Sequence, residues 1–140
     1  MKTHALVIAM TLAAAAPLAH ADKIVASGAV KAFKGPEGAV VLMVEINDSK
    51  EMLVLFKNTG GTIEGKTQRY LFEDLGNGSK NVYVNVKRGS KTNRSNLCSA
   101  RDGEWECYVP GKPADTLQLR YSEDLSGKTK LDDVLAAYKP

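Results

Sequence analysis

The segment NLCSARDGEWECYVP, residues 96–110, holds both cysteines of the chain, one on each side of an Asp-Gly pair. Asp102-Gly103 favours a two-residue hairpin turn, because a type I′ turn needs positive φ at both central positions. Counting outward from the turn places Cys98 opposite Cys107, at a non-hydrogen-bonded pair whose Cα atoms lie about 4.5 Å apart. A disulfide tolerates that separation. The segment therefore predicts a β-hairpin closed by a disulfide.

The N-terminal residues 1–21, MKTHALVIAMTLAAAAPLAHA, have the pattern of a secretory signal peptide. Lys2 precedes an apolar run, Pro17 ends it, and the small residues Ala19 and Ala21 occupy the positions that a signal peptidase reads. The alternative is a membrane anchor, but the run is shorter than the about 20 residues that cross a bilayer. We expect residues 22–140 to form one exported β-rich domain, periplasmic or secreted.

Removal of the signal peptide would also remove His4 and His20, the only histidines of the chain. The mature domain would then lack the commonest general base and the commonest metal ligand. A metal site at the cysteines would need four ligands, and a redox pair typically has the spacing C-x-x-C. An oxidising compartment favours a bonded pair. We therefore predict a structural disulfide, no metal, no cofactor and no catalytic site.

Short apolar or alternating runs separated by turn signals fill the rest of the domain. The runs at residues 39–47 and 51–57 are almost wholly apolar and predict a central hairpin. Regular spacing of such runs indicates an antiparallel β-sandwich or a small barrel, and the sequence leaves this choice open. The other candidate strands cover residues 23–33, 68–73, 81–87 and 116–121, besides the cysteine hairpin.

The C-terminal residues predict one short helix. Thr129 resembles an N-cap with Asp132 at the third position. Apolar residues follow at helical spacing and form one stripe; they are Leu131, Val134, Leu135 and Tyr138. Because so short a helix is unstable alone in water, we expect it to dock across an open end or an edge of the sheet.

Basic residues are concentrated in one window of the sequence. The whole chain has a net charge of +3, yet no acidic residue lies between Asp74 and Asp102. The densest part, KRGSKTNRSN at residues 87–96, lacks apolar residues and predicts a flexible loop. The loop is either an ordinary solvated connection or a site for an anionic partner. The candidate binding residues are Lys80, Lys87, Arg88, Lys91, Arg94 and Arg101.

The nature of such a partner follows from the compartment. Nucleic acid is not expected, because stacking aromatic residues are sparse near the basic residues and an exported protein rarely meets it. An acidic protein surface or an anionic envelope component fits better. Asn77 and Asn93 match the N-glycosylation pattern, which matters only in a host that glycosylates exported proteins.

Three functions remain open at this point. The first is a small exported non-catalytic binding protein, in its concrete form an inhibitor or immunity-type protein acting on an envelope or foreign enzyme through the basic loop. The second is a structural or accessory subunit of an envelope assembly that uses an unpaired sheet edge. The third, a hydrolase, is less favoured, and its candidate carboxylates are Glu73, Asp74, Glu104 and Glu106. Glu104 and Glu106 suit a polar strand face better than a catalytic pair.

Overall fold

The structure is a computed structural model that describes residues 24–139. Within this range, residues 85–88 and 113–114 are described by their backbone only. The predicted signal peptide, residues 1–21, lies outside the described residues. Within residues 24–139, no helix combines the length and the apolar character needed to cross a membrane.

Eight antiparallel strands form a closed barrel in which each strand pairs with its neighbours in sequence. The last strand pairs with the first through Phe33 and Tyr121, which closes the barrel. The prediction of a mainly antiparallel β domain is confirmed, and the fold is the barrel rather than the sandwich. The strands are β1 (Lys31–Lys34), β2 (Val40–Ile46), β3 (Glu51–Lys57), β4 (Thr67–Asp74), β5 (Ser79–Arg88), β6 (Lys91–Arg101), β7 (Glu104–Val109) and β8 (Lys112–Tyr121).

Strands β2 and β3 are buried on both faces, which explains their almost continuous apolar sequence. Val54 and Phe56 point into the barrel interior, together with Phe33 and Trp105 of other strands. The alternate residues of β2 and β3 form a second apolar cluster on the outer face. Its buried strand and flanking residues are Val30, Ala32, Leu42, Val44, Ile46, Leu53 and Leu55.

Two short helices cover this outer cluster, where the sequence predicted one helix at an open end or edge. The unpredicted helix α1 (Glu123–Lys128) begins after its N-cap Ser122. The predicted helix, α2 (Leu131–Ala136), has Lys130 rather than Thr129 as its N-cap. Val134 of α2 is completely buried in the outer cluster. The helices therefore lie on the barrel wall, because the outer faces of β2 and β3 are the apolar surfaces that need cover.

The cysteine hairpin has the predicted register. Asp102 and Gly103 both have positive φ, and Cys98 pairs with Cys107 across β6 and β7. The disulfide is formed, with a Cα–Cα distance of 4.0 Å. Trp105 is buried and makes an edge contact with Phe33 inside the barrel, with ring centroids 5.9 Å apart. Both the predicted bond and the predicted register of this hairpin are confirmed.

The segment at residues 87–96 is a β-hairpin, not the predicted flexible loop. Strand β5 continues to Arg88, a turn at Gly89-Ser90 follows, and β6 begins at Lys91. Gly89 supplies the positive φ that a tight turn needs. Hydrophobic periodicity carries no strand signal here, because the described side chains of residues 89–96 are exposed and no face has an apolar pattern.

The ends of the chain also deviate from the predicted strands. The first predicted strand covered residues 23–33, but β1 covers only Lys31–Lys34. Before β1, Ala26 forms an isolated bridge with Ile46. Strand β8 starts at Lys112, earlier than predicted, because it continues the pairing with β7 through a register shift near Val109. Local propensity does not reveal such pairing, since the partner strand determines it.

Candidate binding surface

The outer parts of β5 and β6 leave the barrel wall together. Pairing of β4 with β5 extends to Tyr83, and pairing of β6 with β7 extends to Cys98. Pairing of β5 with β6 continues beyond both points, up to Arg88 and Lys91. Residues 84–96 therefore form a two-stranded projection, which we call the hairpin arm.

A β-bulge marks the base of the hairpin arm. Val82 pairs with Cys98 but Tyr83 pairs with Asn96, so Leu97 is an extra residue on β6. Its side chain is buried in the barrel core. A bulge bends and twists its strand, and the disulfide lies at the last residue pair that joins β6 to β7. Together, the bulge and the disulfide fix the direction in which the arm leaves the barrel.

The hairpin arm carries four of the six candidate basic residues. Arg88 pairs with Lys91 beside the turn, and Lys87 pairs with Thr92. Arg94 lies two residues after Thr92 on β6, and the side chains of residues 91–96 are exposed. Since the arm contains no acidic residue, it is a local concentration of positive charge.

The other two candidates, Lys80 and Arg101, lie at the opposite end of β5 and β6. Lys80 pairs with Ala100, and its Nζ atom lies 4.0 Å from Oδ2 of Asp74. The eight-residue step from Lys80 to Arg88 corresponds to about 26 Å of extended strand. The structure therefore brings four of the six basic residues together and leaves two at the far end of the barrel.

Arg94 has an aromatic partner that the sequence analysis did not identify. Its guanidinium carbon lies 5.3 Å from the centroid of the Tyr83 ring. The Tyr83 hydroxyl donates to Oε1 of Glu73, at 3.1 Å. Residue alternation places Arg94 and Tyr83 on the same outer face, but the bulge that sets this register leaves no reliable sequence signal.

An open groove separates the hairpin arm from the turn between β7 and β8. Arg94, Ser95 and Asn96 line one side, and Tyr108 and Pro110 lie on the other. Tyr108 is 47% exposed, which is high for a large aromatic side chain. The turn is held in place because the Thr62 amide donates to the Pro110 carbonyl at 2.8 Å.

The barrel interior is filled by side chains. A cavity of about 30 Å³ remains at the end opposite the arm, which is little more than the space of a water molecule. Phe72 and Trp105 contribute to its apolar wall, and Lys31 and Glu45 lie at its rim. Within the described part of the chain, no group of three or more acidic or sulfur ligands is arranged to hold a metal ion.

The carboxylates considered for hydrolysis are dispersed among local contacts. Glu73 accepts the Tyr83 hydroxyl, Asp74 lies beside Lys80, and Glu106 accepts a hydrogen bond from Gln118 of β8. Glu104 lies opposite Arg101 in the hairpin register. Each of these contacts is typical of a polar strand face.

A different carboxylate organises the loop between β3 and β4, and the sequence analysis missed it. Glu64 accepts hydrogen bonds from the amides of Asn58, Thr59 and Gly60 and from the Thr59 hydroxyl. Burial alone would raise the pKa of Glu64, but these hydrogen bonds together lower it below the usual 4.5. The Glu64 carboxylate thus stabilises the loop from within.

The chain matches no protein-family model, no curated protein and no solved structure.

Proposed function

We propose that this chain is a small exported binding protein without catalytic activity, which contacts an acidic protein surface through the hairpin arm. The observation that carries the proposal is the arm itself, because it places four basic residues on a projection without acidic residues. Its specific form would be an inhibitor or immunity-type protein that acts on an envelope or foreign enzyme.

The attachment of the arm supports this proposal. The Cys98–Cys107 bond and the buried Leu97 hold its base to the barrel. A binding element that is ordered before association loses less conformational entropy when it binds. Clustered exposed charge also accelerates association with an oppositely charged surface.

Export is the other part of the proposal. The pattern of residues 1–21 supports it, and so does the disulfide, since such bonds persist mainly in oxidising compartments. The intact mass of the protein purified from its native host tests this part. Removal of residues 1–21 is expected, and an envelope species that retains them would contradict export by cleavage.

Site-specific photo-crosslinking in the native envelope fraction tests the role of the arm. One variant carries a photoreactive residue at Thr92 of the arm, and a control variant carries it at Lys50 at the other end of the barrel; both positions are exposed. An acidic protein captured from Thr92 but not from Lys50 is the expected result. Equal capture from both positions would contradict a binding role of the arm.

Charge reversal then tests the electrostatic mechanism with the captured protein as the purified partner. The arm variant is Lys87→Glu, Arg88→Glu, Lys91→Glu and Arg94→Glu. The control variant, with the same change in net charge, reverses the exposed barrel residues Lys34, Lys50, Lys57 and Arg120. We expect the arm variant to associate at least about tenfold more slowly at low salt and to lose most of its salt dependence. Equal association rates of the two variants would overturn the proposal.

A further inference from the structure

One strand edge of the hairpin arm faces the open groove. Among the residues that the structure describes, β6 pairs with β7 only from Cys98 to Arg101. The earlier part of β6, residues 91–96, pairs with β5 on its other side. The main-chain N–H and C=O groups of one residue in a strand point to one side, and those of the next residue point to the other. Half of the residues in this part therefore direct these groups away from β5, and the groove lies on that side at residues 94–96.

We propose that the acidic partner docks there as an extended segment, which adds a strand to the edge of β6 at residues 92–96. This inference rests on the proposed function and specifies the shape of the partner. Strand addition suits an edge of this kind, because the main chain supplies affinity and alternate side chains supply specificity.

The two faces of the groove specify the side chains of the docked segment. Arg94 and Asn96 of β6 and the exposed Tyr108 of β7 lie on the outer face. On the inner face, the exposed Ser95 of β6 lines the groove and Val109 is buried beside it. Val84, the β5 partner of Ser95, packs partly against the barrel core. The docked strand should therefore alternate between acidic residues on its outer face and apolar residues on its inner face.

The charge of the arm selects against the simplest competing partner, a second copy of this chain. Edge-to-edge pairing of two arms would bring two sets of four cations together, and like charges on neighbouring strands are destabilising. Natural proteins use charged edge residues to prevent such pairing. The same cations attract an acidic strand, so they favour binding of the acidic partner segment over pairing with a second arm.

A fluorescein-labelled peptide of alternating Glu and Val is the probe, with binding followed by fluorescence anisotropy at low salt. Two further peptides carry backbone N-methyl groups, either at every Glu or at every Val, and all three have equal charge. Only one set of amides can face β6, so we expect one methylated peptide to bind about tenfold more weakly and the other to bind nearly as well as the parent. Equal affinities of the two methylated peptides would overturn strand addition.

Substitutions on the protein locate the site of the peptide. Tyr108→Ser should weaken binding several-fold because Tyr108 flanks the groove. Tyr121→Ser should leave binding unchanged, since Tyr121 is similarly exposed, at 52%, but lies near the other end of the barrel beside Phe33. Equal effects of the two substitutions would place the peptide elsewhere and overturn the inference.

Further outcomes separate this inference from the proposed function. If reversal of the four arm charges leaves the affinity for the parent peptide unchanged, the arm is not the anion-binding surface and the proposed function fails. If reversal weakens binding but both methylated peptides bind alike, the proposed function stands and strand addition fails. Binding to phosphatidylglycerol vesicles without binding to the parent peptide would overturn both, in favour of a lipid surface.

Discussion

The hairpins β2–β3 and β5–β6 are built from similar main-chain pairing but have opposite surroundings. Strands β2 and β3 pair along their whole length and are covered on both faces, by the barrel core inside and by the two helices outside. Strands β5 and β6 belong to the barrel wall only between the disulfide and the end that holds Lys80 and Arg101, and their other part projects as the hairpin arm. The side-chain pattern of a strand thus reports what covers each face, whereas strand formation itself depends on the pairing partner.

The largest effect should come from truncating a residue that the helices cover. Leu53 of β3 is fully buried on the outer face of the barrel. We expect Leu53→Ala to lower the free energy of unfolding by about 3 kcal/mol, because it removes buried methyl groups and leaves a cavity. Urea denaturation followed by Trp105 fluorescence measures this loss.

The matched variant on the arm is Thr92→Ala, because Thr92 is a strand residue with an exposed side chain. Its free energy of unfolding should change by less than about 0.5 kcal/mol. Similar losses for Thr92→Ala and Leu53→Ala would break the comparison, since the arm would then be packed as tightly as the wall.

The same comparison explains which features could be predicted from the sequence. The boundaries of β2 and β3 and the register of the cysteine hairpin were predictable, because apolar runs mark buried strands and the Asp102-Gly103 turn fixes the pairing. On β5, residues 84–87 of the arm belong to a predicted strand. Strand structure in the β6 half of the arm was not predictable, since Thr92 and Asn93 form pairs without any apolar face. Helix α1, with the sequence EDLSGK, carries no apolar stripe that would have revealed it.

The candidate site was predicted only in part, for a geometric reason. The acid-free window indicated one basic surface, but an extended strand separates residues that are close in sequence by several ångströms each. Lys80 and Arg101 therefore lie far from the arm. The groove beside Tyr108 depends on where β6 leaves β7, and the bulge at Leu97 that determines this point has no sequence signature of its own.

The disulfide should have the next largest effect, because it lies where the wall and the arm diverge. Replacing both cysteines, Cys98→Ala with Cys107→Ala, should lower the free energy of unfolding by about 2 kcal/mol, since the unfolded chain gains the entropy of an open loop. Urea denaturation of the variant and of the oxidised parent measures the difference. Free thiol released when the parent protein is unfolded without reductant would contradict the bond itself.

A smaller effect is expected from the ion pair between β3 and β4. Glu51 accepts two hydrogen bonds from the Arg69 guanidinium, at 2.6 and 2.7 Å, and a third from Asn47. The hydrogen bond from Arg69 is the main cause that lowers the pKa of Glu51 below the usual 4.5; burial opposes it, and Asn47 assists. A carboxyl group whose pKa is lower in the folded state stabilises the fold fully above pH 4.5, and this contribution is lost as the pH falls through the folded-state pKa.

Glu51→Gln should therefore lower the free energy of unfolding by about 1 kcal/mol at neutral pH, since the pair is partly exposed to solvent. The difference in the free energy of unfolding between this variant and the parent protein should shrink as the pH falls well below 4.5. Urea midpoints across an acid series measure both quantities. A difference that persists unchanged in strong acid would show that the substituted side chain disturbs packing, not charge. A double-mutant cycle with Arg69→Met isolates the coupling between the two side chains.

Only a small effect on stability should come from the most drastic change in charge. The variant that reverses Lys87, Arg88, Lys91 and Arg94 to Glu loses the contact of Arg94 with Tyr83, which is worth about 0.5–1 kcal/mol at an exposed site. It replaces one cluster of like charges by another, so the repulsion within the arm stays similar. We expect the free energy of unfolding to fall by no more than about 1 kcal/mol, measured by urea denaturation. A much larger loss would mean that the arm stabilises the barrel. Slower binding by this variant could then no longer be attributed to charge alone. The arm would have to be regarded as a structural part of the barrel wall.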